Sequence, residues 1–186
     1  MIFVTVGSQM PFDRLTQAVD DWASRCANDS VFAQIGSGKY IPIHMQWSRT
    51  LSTADYRKKI FDSRLVIAHA GMGTIITALE LGKPIIVMPR LGKFAETRND
   101  HQVDTAKQLA SSGCITVAMN ETELIDTLAS LDALESPSQI PSHASRELLT
   151  AVRNFICEDI SPADVVDIAP LQMPNVTKEA THAKAA

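Results

Sequence analysis

Apolar residues along this chain alternate between short unbroken runs and longer stretches in which they recur every three or four positions. Residues 2–6 form a β-rich run that stops at Gly7, and Phe12, Leu15, Val19, Trp22, Ala23 and Cys26 then repeat at helical spacing. Strands are expected at Val31 to Ile35, before Gly36-Ser37-Gly38, and at Ile43 to Trp47. Ser52 with Asp55 makes a capping box for a helix reaching about Phe61, because the serine oxygen accepts an orphan amide and the carboxylate suits the positive helix end.

The run Leu65-Val66-Ile67-Ala68 is apolar without interruption, as a parallel strand covered on both faces requires, and it feeds a glycine turn and a helix ending near Gly82. Ile85 to Met88 is a second such strand, stopped by Pro89. Residues 90–98 read as a polar loop, residues 100–112 as a helix capped by Gly113, and Ile115 to Ala118 as the last strand. Asn120 with Glu123 opens a helix towards Ala133, residues 136–141 form a linker, and Leu148, Leu149, Val152, Phe155 and Ile156 mark one more amphipathic helix. Strand and helix alternate throughout, which predicts an α/β fold with a doubly wound, mostly parallel sheet that binds ligands at the carboxyl ends of its strands. One domain is expected over residues 1–158, with a loosely ordered tail over 159–186, where the pattern dissolves into Pro, Ala, Thr and Lys.

Composition narrows the function classes. A net charge of -4, with Lys and Arg scattered, leaves no basic surface for nucleic acid. Three distant cysteines, Cys26, Cys114 and Cys157, without metal-binding spacing, fit free thiols in a reducing compartment, so a cytoplasmic location is expected. The opening apolar run is too short for a signal peptide or membrane span, so membrane association would come through a partner or a surface patch. No Asp-x-Asp or His/Cys/Asp cluster points to a metal or another cofactor.

The chemistry concentrates between a buried strand and a helix. Gly71 and Gly73 lie where bare amides and the helix dipole both favour an anion, and they fit neither a Walker loop nor the GxGxxG of dinucleotide binders. Glycines at such a place also serve simply to make the turn.

The longer run HAGMGTIITALELGKPIIVMPR from His69 to Arg90, followed by His101-Gln102, resembles the C-terminal donor domain of glycosyltransferase family 28. It is closer still to free-standing versions of that domain: the soluble subunit of the two-part N-acetylglucosaminyltransferase of N-glycan assembly, and PssE-like subunits of bacterial exopolysaccharide enzymes. The resemblance covers residues 1–158, from the TVGS start with Pro11-Phe12-Asp13 to the last helix. It implies a Rossmann-like half of a GT-B fold, a UDP-sugar donor substrate, and a separate membrane-associated subunit that binds a lipid-linked acceptor and carries the general base. No catalytic residue is then assigned in this chain. Recruitment to the inner face of the membrane by that partner follows from the same resemblance.

Carried over by position, the backbone from Gly71 through Met72 and Gly73 to Thr74 would hold the diphosphate, with His69 lining the pocket and Gly7 and Ser8 facing it. Gln102 and His101 would bond the donor sugar, or else cap their own helix. The family's ribose-binding glutamate falls at Thr77, and Glu80 lies almost one helical turn further on. Arg90, with Lys93 and Arg98, lies in a loop where positive charge could stabilise the leaving diphosphate. Trp47 and Met45 are candidates for stacking on a base or for the core, and Asp13 for capping the first helix. Two alternatives stay open: a non-catalytic nucleotide-sugar-binding or scaffold subunit, and a homodimeric sugar-nucleotide enzyme such as an epimerase.

Overall fold

The computed structural model describes residues 1–157 apart from 27, 28, 112, 132–136, 138 and 142, so the expected tail at 159–186 and the helix end at Ala133 lie outside the described residues. The chain divides into two compact units, Met1–Ser142 and His143–Ala186.

The first unit carries six parallel strands: β1 (Ile2–Thr5), β2 (Val31–Gln34), β3 (Gln46–Ser48), β4 (Leu65–His69), β5 (Ile85–Met88) and β6 (Thr116–Val117), in the order β3-β2-β1-β4-β5-β6. Period-2 alternation splits each central strand between two cores. Ile2, Val4, Ile67, Ile86 and Met88 face helices α1 (Asp13–Ala23) and α5 (Glu121–Ala129) through Leu15, Val19, Trp22, Leu124 and Leu128. Phe3, Val66, Ala68, Ile85 and Val87 face α2 (Thr53–Asp62), α3 (Met72–Glu80) and α4 (His101–Ser111) through Ile60, Ile75, Leu79 and Ala106. Helices on both faces are what buries β1, β4 and β5 completely, and they explain why those strands read as unbroken apolar runs.

Helix ends follow their local chemistry. Ser52 Oγ accepts the Asp55 amide at 3.1 Å, and Asn120 Oδ1 accepts that of Glu123 at 3.0 Å. Gly82 has φ of 62°, and Lys83 donates back to the Ala78 carbonyl, a left-handed stop that a residue with a Cβ would strain.

Strand β3 departs from the expected Ile43 to Trp47. It begins only at Gln46 because the backbone before it is taken by the buried Asp20 carboxylate of α1, which accepts the Ile43 amide at 2.9 Å, the His44 amide at 2.8 Å and the Tyr40 hydroxyl at 2.8 Å. Those three donors hold the helix-free crossover from β2 to β3 against α1, and burial together with Asp20 pushes the Tyr40 hydroxyl up to about 12. Asp13 does not cap α1 as expected. It accepts the Lys39 amide from the same crossover, at 3.0 Å. Strand β6 is two residues long rather than four.

The second unit contributes helix α6 (Arg146–Cys157), whose first turn is held by Ser145 Oγ accepting the Leu148 amide at 3.2 Å. Among the described residues no helix is long and apolar enough to cross a membrane.

Candidate functional site at the switch point of the sheet

The chain runs outward from β1 to β3 on one side and resumes with β4 on the other side of β1, so the loops leaving β1 and β4 separate and open a crevice between them. Gly7 lies on the first loop, with φ of 76°, and Ala70-Gly71 on the second. Between the two glycines sits the imidazole of His69. A Cβ at Gly7 would lie 2.5 Å from His69 Cε1, and one at Gly71 would collide with Nε2, so both glycines are required by the ring.

Burial, reinforced by the charge of Arg90, pushes the His69 imidazole down to about 4, with only the Thr5 carbonyl opposing. The ring is therefore neutral at physiological pH. Its Nδ1 is buried with no hydrogen-bond partner.

Helix α3 starts beside this ring. Its N-cap is Gly71, which offers no side chain, and Thr74 and Ile75 both donate to the Gly71 carbonyl at 3.1 Å. Among the described residues nothing accepts from the amides of Met72 and Gly73, which leaves two donors at the positive helix end. Gly73 is unlike the other seven glycines. It has neither a positive φ nor a neighbour within 4 Å of an added Cβ, so neither backbone strain nor crowding calls for glycine there. Thr74 is buried, its Oγ1 sharing a 2.7 Å hydrogen bond with the Tyr56 hydroxyl.

Beneath the crevice lies a polar network that the sequence does not announce. Thr5 Oγ1 donates to Gln34 Oε1 at 2.7 Å and accepts the Gly7 amide at 3.2 Å, while Gln34 Nε2 donates to the carbonyls of Gly7 and Arg49. The one available signal was a glutamine ending an otherwise apolar strand.

The remaining predicted residues separate. Ser8 and Met72 are exposed on the rim of the crevice. Thr77 donates its hydroxyl to the Gly73 carbonyl at 2.8 Å, and Glu80 pairs with Arg57 of α2 at 3.6 Å, so neither stands free at the glycine turn. His101 is exposed beside Asn99, whereas Gln102 is buried with Oε1 accepting the Arg90 amide at 3.1 Å.

Arg90, expected in a polar loop, is instead 4 % exposed, and its Nη2 donates to the carbonyl of Val6 at 2.6 Å and to that of Met10. The guanidinium thereby holds the β1–α1 loop rather than facing solvent. Met45 is core beside α1, and Trp47 stands 39 % exposed on β3. Lys93 and Arg98 are exposed. Among the described residues no cluster of three or more His, Cys, Asp or Glu could hold a metal ion.

The sequence model of the glycosyltransferase family 28 C-terminal domain matches residues 1–155. The chain is 34% identical over 122 residues to the human UDP-N-acetylglucosamine transferase subunit ALG13, covering 60% of this chain and 10% of that protein. It is 31% identical over 115 residues to the UDP-N-acetylglucosamine--N-acetylmuramyl-(pentapeptide) pyrophosphoryl-undecaprenol N-acetylglucosamine transferase of Phenylobacterium zucineum (strain HLK1), covering 61% of this chain and 30% of that one. The solution structure of ALG13 superposes with a TM-score of 0.54 at 22% identity, over 86% of this chain and 96% of the other, which shows a shared fold. The chain thus spans about a tenth of the length of the human relative and under a third of the bacterial one. With a doubly wound sheet, a crevice at its switch point and a sequence match over nearly all of the described residues, this chain belongs to glycosyltransferase family 28, as a member of its C-terminal domain.

Proposed function

We propose that this chain is the donor-binding subunit of a two-part glycosyltransferase. It binds a UDP-sugar by its diphosphate at the start of α3 and presents the sugar to an acceptor held, together with the general base, by a second, membrane-associated polypeptide. Gly73 carries this reading: a glycine within a helix costs about 0.5–1 kcal/mol relative to alanine, and its bareness leaves the free Met72 and Gly73 amides open to close approach. Two amides and a helix dipole offset diphosphate charge without a divalent ion, so transfer is metal-independent in this scheme. A lipid-linked acceptor fits the bacterial relative, whose name specifies a pyrophosphoryl-undecaprenol substrate.

A donor alone, spanning one wall of a cleft, binds without turning over. Titration calorimetry with UDP and with UDP-N-acetylglucosamine tests the reading. Both ligands should bind the wild-type chain, and Gly73→Val should lose at least ten-fold in affinity for each while unfolding at a denaturant midpoint no lower than the wild type's. Gly71 is the poorer probe, since any Cβ there strikes His69. Full affinity in Gly73→Val would remove the diphosphate from this turn.

A further inference from the structure

Two arginines cross in opposite directions between the β1–α1 segment and the β5–α4 segment. Arg14, in the first turn of α1, reaches to the β5–α4 loop, where its Nε meets Glu96 Oε1 at 2.8 Å and its Nη2 meets Glu96 Oε2 at 2.9 Å and the Pro89 carbonyl at 3.2 Å. Its Nη1 meets Glu121 at the start of α5 at 3.1 Å. Arg90, at the end of β5, reaches the opposite way to the Val6 and Met10 carbonyls of the β1–α1 loop. Phe12 lies between them, each guanidinium carbon 5.3 Å from its ring centroid, and Phe94 stands 5.1 Å from that of Arg14.

Glu96 is 8 % exposed and uses both oxygens, accepting the Leu91 amide at 2.9 Å as well. The two-fork geometry, shielded from water, makes this pair far stiffer than a surface salt bridge. Loop 91–100 is therefore fastened to α1, and through Arg90 the β1–α1 loop is fastened to β5. The Arg90 amide also holds Gln102 at the start of α4.

We infer that Arg14 and Glu96 are positioning residues that fix the β5–α4 loop relative to the β1–α1 loop and its Gly7 turn, and so set donor selectivity between a nucleoside diphosphate and its sugar conjugate. The inference rests on the donor-binding function proposed above. A diphosphate touching only the helix start needs one side of the crevice. A nucleotide-sugar that also reaches the Gln102 end needs the separation between the two sides to be held. Loosening the clasp therefore weakens the longer ligand more than the shorter one.

The test uses the full chain as wild type, Glu96→Gln, Arg14→Ala, Arg14→Lys and the double variant Arg14→Ala/Glu96→Ala. Calorimetry reads affinity for UDP and for UDP-N-acetylglucosamine, and amide hydrogen exchange reads the loops without ligand. Expected are a ten-fold or greater loss of UDP-N-acetylglucosamine affinity in Glu96→Gln and Arg14→Ala, with less than three-fold loss for UDP. Arg14→Lys, which keeps the charge, should recover part of it, and the double variant should be no worse than the worse single one. Exchange in Glu96→Gln should quicken at Ser8 to Met10 as well as in loop 91–96, with β4 and β5 unchanged. Equal losses for both ligands, or quickening confined to loop 91–96, would overturn the positioning role. A wild-type chain that binds neither ligand would overturn the donor-binding function and the selectivity claim with it, leaving the exchange result to decide whether the clasp couples the loops.

Discussion

A neutral, half-buried imidazole, that of His69, lies between two glycines at the carboxyl end of β4. His69 titrates near 6.5 in an unfolded chain and at about 4 here, because burial and Arg90 both disfavour its cation. Between these values the unfolded chain binds more protons, so this group's contribution is complete above pH 6.5 and is lost as pH falls towards 4, a change on the order of 3 kcal/mol. Urea unfolding at a series of pH values should therefore show the stability difference between wild type and His69→Asn narrowing from pH 7 to pH 4. A difference that stays constant across that range would mean that His69 is not held neutral by its surroundings. The sequence placed His69 at the turn. It did not show that the ring fills the space the two glycines leave, because the Cβ clash with Gly7 joins residues 62 positions apart.

At the scale of elements, much was legible and the reasons are local. Strands β1, β4 and β5 announce themselves because both faces are buried, and the Ser52 and Asn120 caps because the bonded atoms lie three residues apart. The start of β3 was misplaced because a carboxylate from another element intercepts two amides. The same remoteness hid the burial of Arg90 and the partnership of Arg14 with Glu96, whose partners lie 80 or more residues away. Asp20→Asn tests the crossover: an amide presents a donor where three donors already converge. A loss of about 1–3 kcal/mol in urea unfolding is expected, with earlier proteolytic cutting within residues 36–45. A loss below about 0.5 kcal/mol, the range of an ordinary surface substitution, would show that Asp20 does not hold this segment.

For the molecule as a whole, the proposed function makes the first unit one wall of a binding cleft. Its polar network, arginine clasp and glycine turns all lie at the carboxyl ends of the strands, where a doubly wound sheet collects ligands. A separate groove of about 510 Å³ between α1 and α5, lined by Arg14, Gln17, Asp21, Glu121 and Asp126 among others, includes none of the glycine-turn residues and mixes both charge signs. It shares Arg14 and Glu121 with the clasp, so its inner residues Gln17, Asp21 and Asp126 are the ones to compare with the glycine turns. The most direct test is a titration of UDP into the isotope-labelled chain, followed by amide chemical shifts. The account predicts the largest changes at Gly7, Ser8, Met72 and Gly73, with Gln17, Asp21 and Asp126 of the α1–α5 groove silent. Shifts concentrated in that groove, or none at the start of α3 at saturating UDP, would contradict it.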